Sequence, residues 1–107
     1  TRDYIHVLDV IEICYKVFLL LSKKKSLLIN VGRGIPVDII SFIKKFENIS
    51  KFKIGRNYKK ISKHEIFYSV ANNQRLKKMR LIKKFRNLNV IIKDMTLLKH
   101  INRNYSF

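Results

Sequence analysis

Two of the chain's three glycines and its single proline fall within five residues, Gly32-Arg33-Gly34-Ile35-Pro36. No regular helix or strand continues through such a stretch. Glycine opens backbone angles that other residues avoid, and proline has no amide for a ladder. The break therefore fixes how the 107 residues divide into elements. A chain of this length makes one small domain, or a piece of a larger protein, with little stability to spare.

On the N-terminal side of the break, Tyr4-Ile5-His6-Val7-Leu8 reads as a short strand. Asp9 then stands where a helix N-cap belongs. Apolar residues at 10, 13, 14, 17, 18, 20 and 21 predict a helix with one broad buried face, ended by the exposed loop Ser22-Lys23-Lys24-Lys25-Ser26. Leu27–Val31, apolar on both faces, predicts an interior strand running into the break. Beyond it, Asp38 caps a helix with apolar residues at 39, 40, 42, 43 and 46. Phe52–Ile54 predicts a short strand closed by Gly55, and Arg56–His64 an irregular loop. Ile66–Ala71 reads as extended, Asn72 as the cap of a short helix over Gln74–Met79, and Leu88–Ile101 as a terminal amphipathic helix. The order strand, helix, strand, helix, strand, loop, helix, helix predicts an α/β or α+β fold.

The formal charge of +17 points first to a polyanion partner. Yet 17 Lys, 16 Ile and 9 Asn stand against only 7 Arg, and the first three share AT-rich codons. The charges come as scattered pairs and triplets, so solvated surface outweighs a dedicated nucleic-acid face. The 47% hydrophobic content suits a folded domain. One cysteine, Cys14, allows no internal disulfide and favours a reducing, cytoplasmic setting. The longest apolar run, Val17–Leu21, is far short of the roughly 20 residues that cross a bilayer, so no membrane association is expected.

Thr1-Arg2-Asp3-Tyr4-Ile5-His6-Val7-Leu8-Asp9 resembles the segment that opens the C-terminal lobe of the extended short-chain dehydrogenase/reductase family. Within that family of NAD-dependent epimerases and dehydratases it is most similar to the UDP-glucose 4-epimerases. Asn30-Val31-Gly32-Arg33-Gly34, with Pro36 and Asp38 after it, resembles that lobe's asparagine–x–glycine–x–glycine turn. Glu65 to Lys78 resembles the segment that closes over the nucleotide, and Leu88–Ile101 the terminal helix. The resemblance implies one domain, residues 1–107, that is the substrate-binding lobe of a Rossmann-type enzyme, with the NAD-binding lobe missing. It also implies a cut edge at Thr1, a cytoplasmic homodimeric parent, and interconversion of UDP-glucose and UDP-galactose.

The family's tyrosine–x–x–x–lysine pair and its glycine-rich NAD turn are both absent; Val37 occupies the third glycine position of G-x-G-x-x-G. Cofactor chemistry is therefore not expected from this chain alone. The resemblance implies a grip on the substrate diphosphate by Arg2, whose planar fork suits two phosphate oxygens. If Glu65 matches the family's acidic position, Ser62 stands where a second arginine belongs, and Lys60 or Lys63 would substitute as a point charge. Tyr68 lies near the family tyrosine that approaches the substrate. His6, His64 and His100 are too scattered for a metal set. Cys14 is expected as a small buried hydrophobe, Arg33 as a solvent-facing turn residue, and Phe18, Phe42 and Phe46 as core stripe. The alternatives are another nucleotide-sugar dehydratase or reductase, a small basic nucleic-acid-binding module, and a non-catalytic remnant packed on a separate Rossmann chain.

Overall fold

The computed structural model describes residues 1–23 and 26–102, with side chains to residue 97. Lys24 and Lys25 of the expected loop lie outside these residues, as do Tyr105 and the side chains of Lys99, His100 and Ile101. The described chain holds two short strands, β1 (Arg2–Asp3) and β2 (Pro36–Val37). Its four helices are α1 (Val7–Leu21), α2 (Ile39–Ser50), α3 (Gln74–Lys78) and α4 (Leu88–Asn102). β1 and β2 pair antiparallel, Arg2 opposite Val37 and Asp3 opposite Pro36. On its other side Arg2 makes a parallel bridge to Ser69.

The expected strand over Tyr4–Leu8 is replaced by an early helix start, and the expected cap Asp9 is not the cap. His6 takes that position: its Nδ1 accepts from the Leu8 backbone N–H at 3.0 Å. Its Nε2 faces Asp94 Oδ2 on α4 at 2.6 Å. With Nδ1 accepting, Nε2 carries the proton that Asp94 receives. Asp9, one turn into α1, is fully buried and meets Arg86, which donates its backbone N–H at 2.8 Å and its Nη1. A carboxylate in a first helical turn is also favoured by the helix dipole.

The core is two clusters. Ile13, Leu76, Leu81 and Ile82 bury one, with Ile5, Val17, Leu20, Ile29, Met79 and Phe85 against them. Leu88, Ile91 and Ile92 of α4 bury the other, against Phe42, Phe46 and Ile49 of α2, with Tyr4 stacked on Phe42 at 4.5 Å between ring centroids. Phe42 and Phe46 thus join the core as expected. Phe18 is 71% exposed and Cys14 is exposed too. α1 is apolar nearly all round, and the contacts select Ile13, Val17 and Leu20, leaving Val7, Ile11, Tyr15 and Phe18 facing outward.

Two further expected strands are absent from the described residues. Leu27–Val31 makes no backbone–backbone hydrogen bond to another described segment, and Leu28 is 80% exposed. A strand apolar on both faces needs neighbours that these residues do not supply. Phe52–Ile54 is held instead by a side chain: Glu47 Oε2 accepts from the Ile54 N–H at 3.4 Å while Oε1 pairs with Arg56 at 2.5 Å.

The expected helices stand. Asp38 caps α2 by accepting from the Ser41 N–H at 2.9 Å. The N-cap of α3 is Asn73 rather than the expected Asn72; its side chain is turned to Gly32 O and makes no cap bond, while Asn72 Oδ1 accepts from the Gln74 N–H at 3.2 Å. α3 closes with Arg80 in the left-handed region, φ 51°, its N–H bonded to Lys77 O and that of Leu81 to Leu76 O. This pair of bonds, with Leu76 and Leu81 buried together, is a Schellman ending. Asn87 Oδ1 caps α4 through the Val90 N–H at 3.0 Å.

Arg86→Met strips the buried Asp9 carboxylate of its guanidinium. Because Arg86 is itself 40% exposed, the loss falls at the lower end for a broken buried pair, about 3 kcal/mol, read by urea denaturation. Hydrogen bonds from the Ser41 side chain and backbone hold the Asp38 carboxyl below its ordinary range, and Arg56 does the same for Glu47. The unfolded chain therefore takes up these protons first. Their stabilisation is present at neutral pH and lost as pH falls through the folded values. Melting temperatures should drop toward acid, and Asp38→Asn, which keeps the cap acceptor, should make that drop shallower.

Candidate functional site

The Asp3 carboxylate gathers three separated stretches. Its Oδ1 accepts from the Arg33 N–H at 3.1 Å; its Oδ2 accepts from the Gly34 N–H at 2.8 Å and the Ala71 N–H at 3.2 Å. The close approach needs glycine. A Cβ at Gly32 would stand 2.4 Å from Ala71 Cβ and 2.6 Å from Asp3 Oδ2. Gly34 sits at φ +71°, where a side chain is strained, with the Asn73 amide 3.0 Å from a would-be Cβ. Buried Asn73 donates to Gly32 O at 3.0 Å. The turn's N–H groups are spent on Asp3, so it is not a phosphate cradle.

Arg33 is a correction. It is buried at 7% exposure, not facing solvent; its Nη1 donates to Tyr4 O at 3.3 Å and its Nε has no partner among the described residues. Asp3 takes its backbone N–H and Tyr4 O its Nη1, which turns the residue inward rather than toward an anion.

Two clefts open beside this junction. One, of about 620 Å³, is lined by Arg2 and Asp3, by residues 29–32 and by residues 69–72. The other, of about 480 Å³, is lined by Leu28, Ile29, Asn30, Asn72, Gln74, Arg75 and Lys78. They share Ile29, Asn30 and Asn72 and so adjoin. Arg2 is exposed and donates its Nη1 to Thr1 O at 2.9 Å, which holds the guanidinium at one end. Asn30 Nδ2 donates to Asn72 O at 3.4 Å across the middle. At the far end Arg75 Nη1 donates to Leu28 O at 2.7 Å. Asp3 is the sole acidic side chain in the lining, and its oxygens already hold three N–H groups. The lining as a whole favours an anion.

Of the residues expected at the site, Arg2 alone lines this double cleft. Lys60, Lys63, Glu65 and Tyr68 are exposed on the 51–69 segment and line neither part. Glu65 meets only Ser62, through its backbone. Arg75, Lys78, Asn30, Asn72 and Gln74 were not singled out from sequence as ligand-facing. The signal was there: from Ile66 to Lys93 the chain has no acidic residue, and amides and cations crowd 72–78.

His6 is engaged between α1 and α4, and His64 is exposed. Among the described residues no group of three or more His, Cys, Asp or Glu is placed to hold a metal ion, and no helix is long and apolar enough to cross a membrane. No family model, no curated protein and no solved structure matches the chain.

Asp3→Ala removes one acceptor from three backbone donors, each costing about 1 kcal/mol or more when left unpaired. Hydrogen exchange should accelerate at the Arg33, Gly34 and Ala71 amides well before it changes in α4.

Proposed function

We propose that this chain is the substrate-binding lobe of a nucleotide-sugar enzyme of the extended short-chain dehydrogenase/reductase type, most like a UDP-glucose 4-epimerase. One observation carries the reading. The stretches 1–9, 30–34 and 65–78, which bear the resemblance separately in sequence, meet at Asp3 and at the cleft that Arg2 lines, the last of them through residues 69–72. Arg2 contributes a fork for the diphosphate of a UDP-sugar, and the amides of Asn30 and Asn72 offer donors and acceptors beside it. NAD, held by a Rossmann lobe that these residues do not include, would take and return a hydride at one sugar carbon.

The outward face of α1 and the unpaired Leu27–Val31 segment agree with a lobe that meets a sheet-bearing partner. The same surface favours one further reading, a non-catalytic lobe docked on a separate Rossmann chain. The parent is read as a cytoplasmic homodimer. The basic residues speak against a nucleic-acid module: exposed lysines are spread along the chain, on α2 (Lys44, Lys45), over 51–63 and on α3, rather than gathered in one segment.

Calorimetric titration of the chain with UDP tests this. UDP should bind, Arg2→Ala should weaken it about tenfold, the cost of one charge-assisted contact, and UDP-glucose should not turn over without the second lobe. Failure of UDP to bind, or turnover by this chain alone, overturns the reading.

A further inference from the structure

We infer that the cleft has a second phosphate-binding end, built from Arg75 and Lys78, so that it takes a ligand phosphorylated at more than one point. Four observations carry this. Arg75 is pinned by one bond to Leu28 O, which fixes the guanidinium while leaving its other N–H groups to donate. Lys78 lies one turn of α3 away and lines the same cleft, and its side chain has no hydrogen bond or ion pair among the described residues. Asn72 and Gln74 add side-chain amides between the cations and Asn30. No acidic side chain lines this end, so nothing there competes with an anion for the two positive charges.

The arrangement differs from the grip expected on sequence grounds. There the second cation was sought at Lys60 or Lys63, on a segment that lines neither cleft. Here it comes from α3, whose apolar residue Leu76 is anchored in the core while Arg75 and Lys78 stay exposed. A rigid support under a pinned guanidinium lowers the ordering cost of binding. This end does not depend on Arg2 holding UDP, and it stands or falls by itself.

The test is an NMR titration of the whole chain with inorganic pyrophosphate at physiological salt, on wild type, Arg75→Gln, Lys78→Gln and Lys44→Gln. Glutamine at 75 keeps a donor for Leu28 O while removing the charge. Pyrophosphate should shift the Asn72, Gln74 and Arg75 amides. Arg75→Gln and Lys78→Gln should each raise the Kd read at those amides several-fold or more, while Lys44→Gln leaves that Kd near wild type. Wild-type affinity in both Arg75→Gln and Lys78→Gln overturns the inference, as does an equal shift at lysines all over the surface. Should Arg75→Gln fail to fold, as its melting curve would show, Lys78→Gln alone decides. Loss of UDP binding with the pyrophosphate response intact would sink the UDP-sugar reading and leave this one standing.

Discussion

The Asp3 carboxylate accepts three backbone N–H groups from two distant segments, and the fold around the cleft is arranged by that convergence. β1 and β2 contribute only two residues each, too few for a stable sheet by themselves. What the short ladder lacks, the aspartate supplies. It draws 33–34 and 71 onto the N-terminal strand, and Gly32 permits the approach by having no side chain to obstruct it. Asn73, donating to Gly32 O, and Arg75, donating to Leu28 O, extend the same seam toward α3. Asp3 lines the cleft with both of its oxygens already engaged by backbone donors.

α1 carries two unlike surfaces. Inward it presents Ile13, Val17 and Leu20, together with an ionised residue, Asp9, that is tolerated only because Arg86 meets it. Outward it presents Val7, Ile11, Tyr15 and Phe18 to solvent. The charge distribution sharpens the contrast. Residues 1–22 hold Arg2 and Lys16 against Asp3, Asp9 and Glu12, so the positive excess belongs to the rest of the chain. The outward apolar face of α1 thus lies in a stretch that has no share in the chain's positive excess.

Local chemistry was legible where it is self-contained. Asp38 followed by spaced apolar residues specified α2 and its start, because the cap and the stripe both act within a few residues. Leu88–Ile101 specified α4 for the same reason, though its cap, Asn87, went unremarked. Legibility failed where a partner decides. Asp9 has the look of a cap, and Arg86, 77 positions away, turns it into a core ion pair. His6 looked like a strand residue until its ring closed on Leu8. Cys14 and Phe18 fit an apolar stripe as well as Ile13 and Val17 do; no periodicity in so apolar a helix tells which edge is covered. Leu27–Val31 has strand composition without a neighbour to pair with. At the site, Arg2 was reachable through a motif. Arg75 was not, since its value comes from Leu28 O, 47 positions away.

His6 has no idle nitrogen. One side of the ring starts α1 and the other reaches Asp94 in the middle of α4. A rotation of the imidazole large enough to free either bond breaks both, so the opening turn of one helix and the orientation of another are a single mechanical event. Two helices that belong to separate apolar clusters are thereby joined through one aromatic ring rather than through a shared interior.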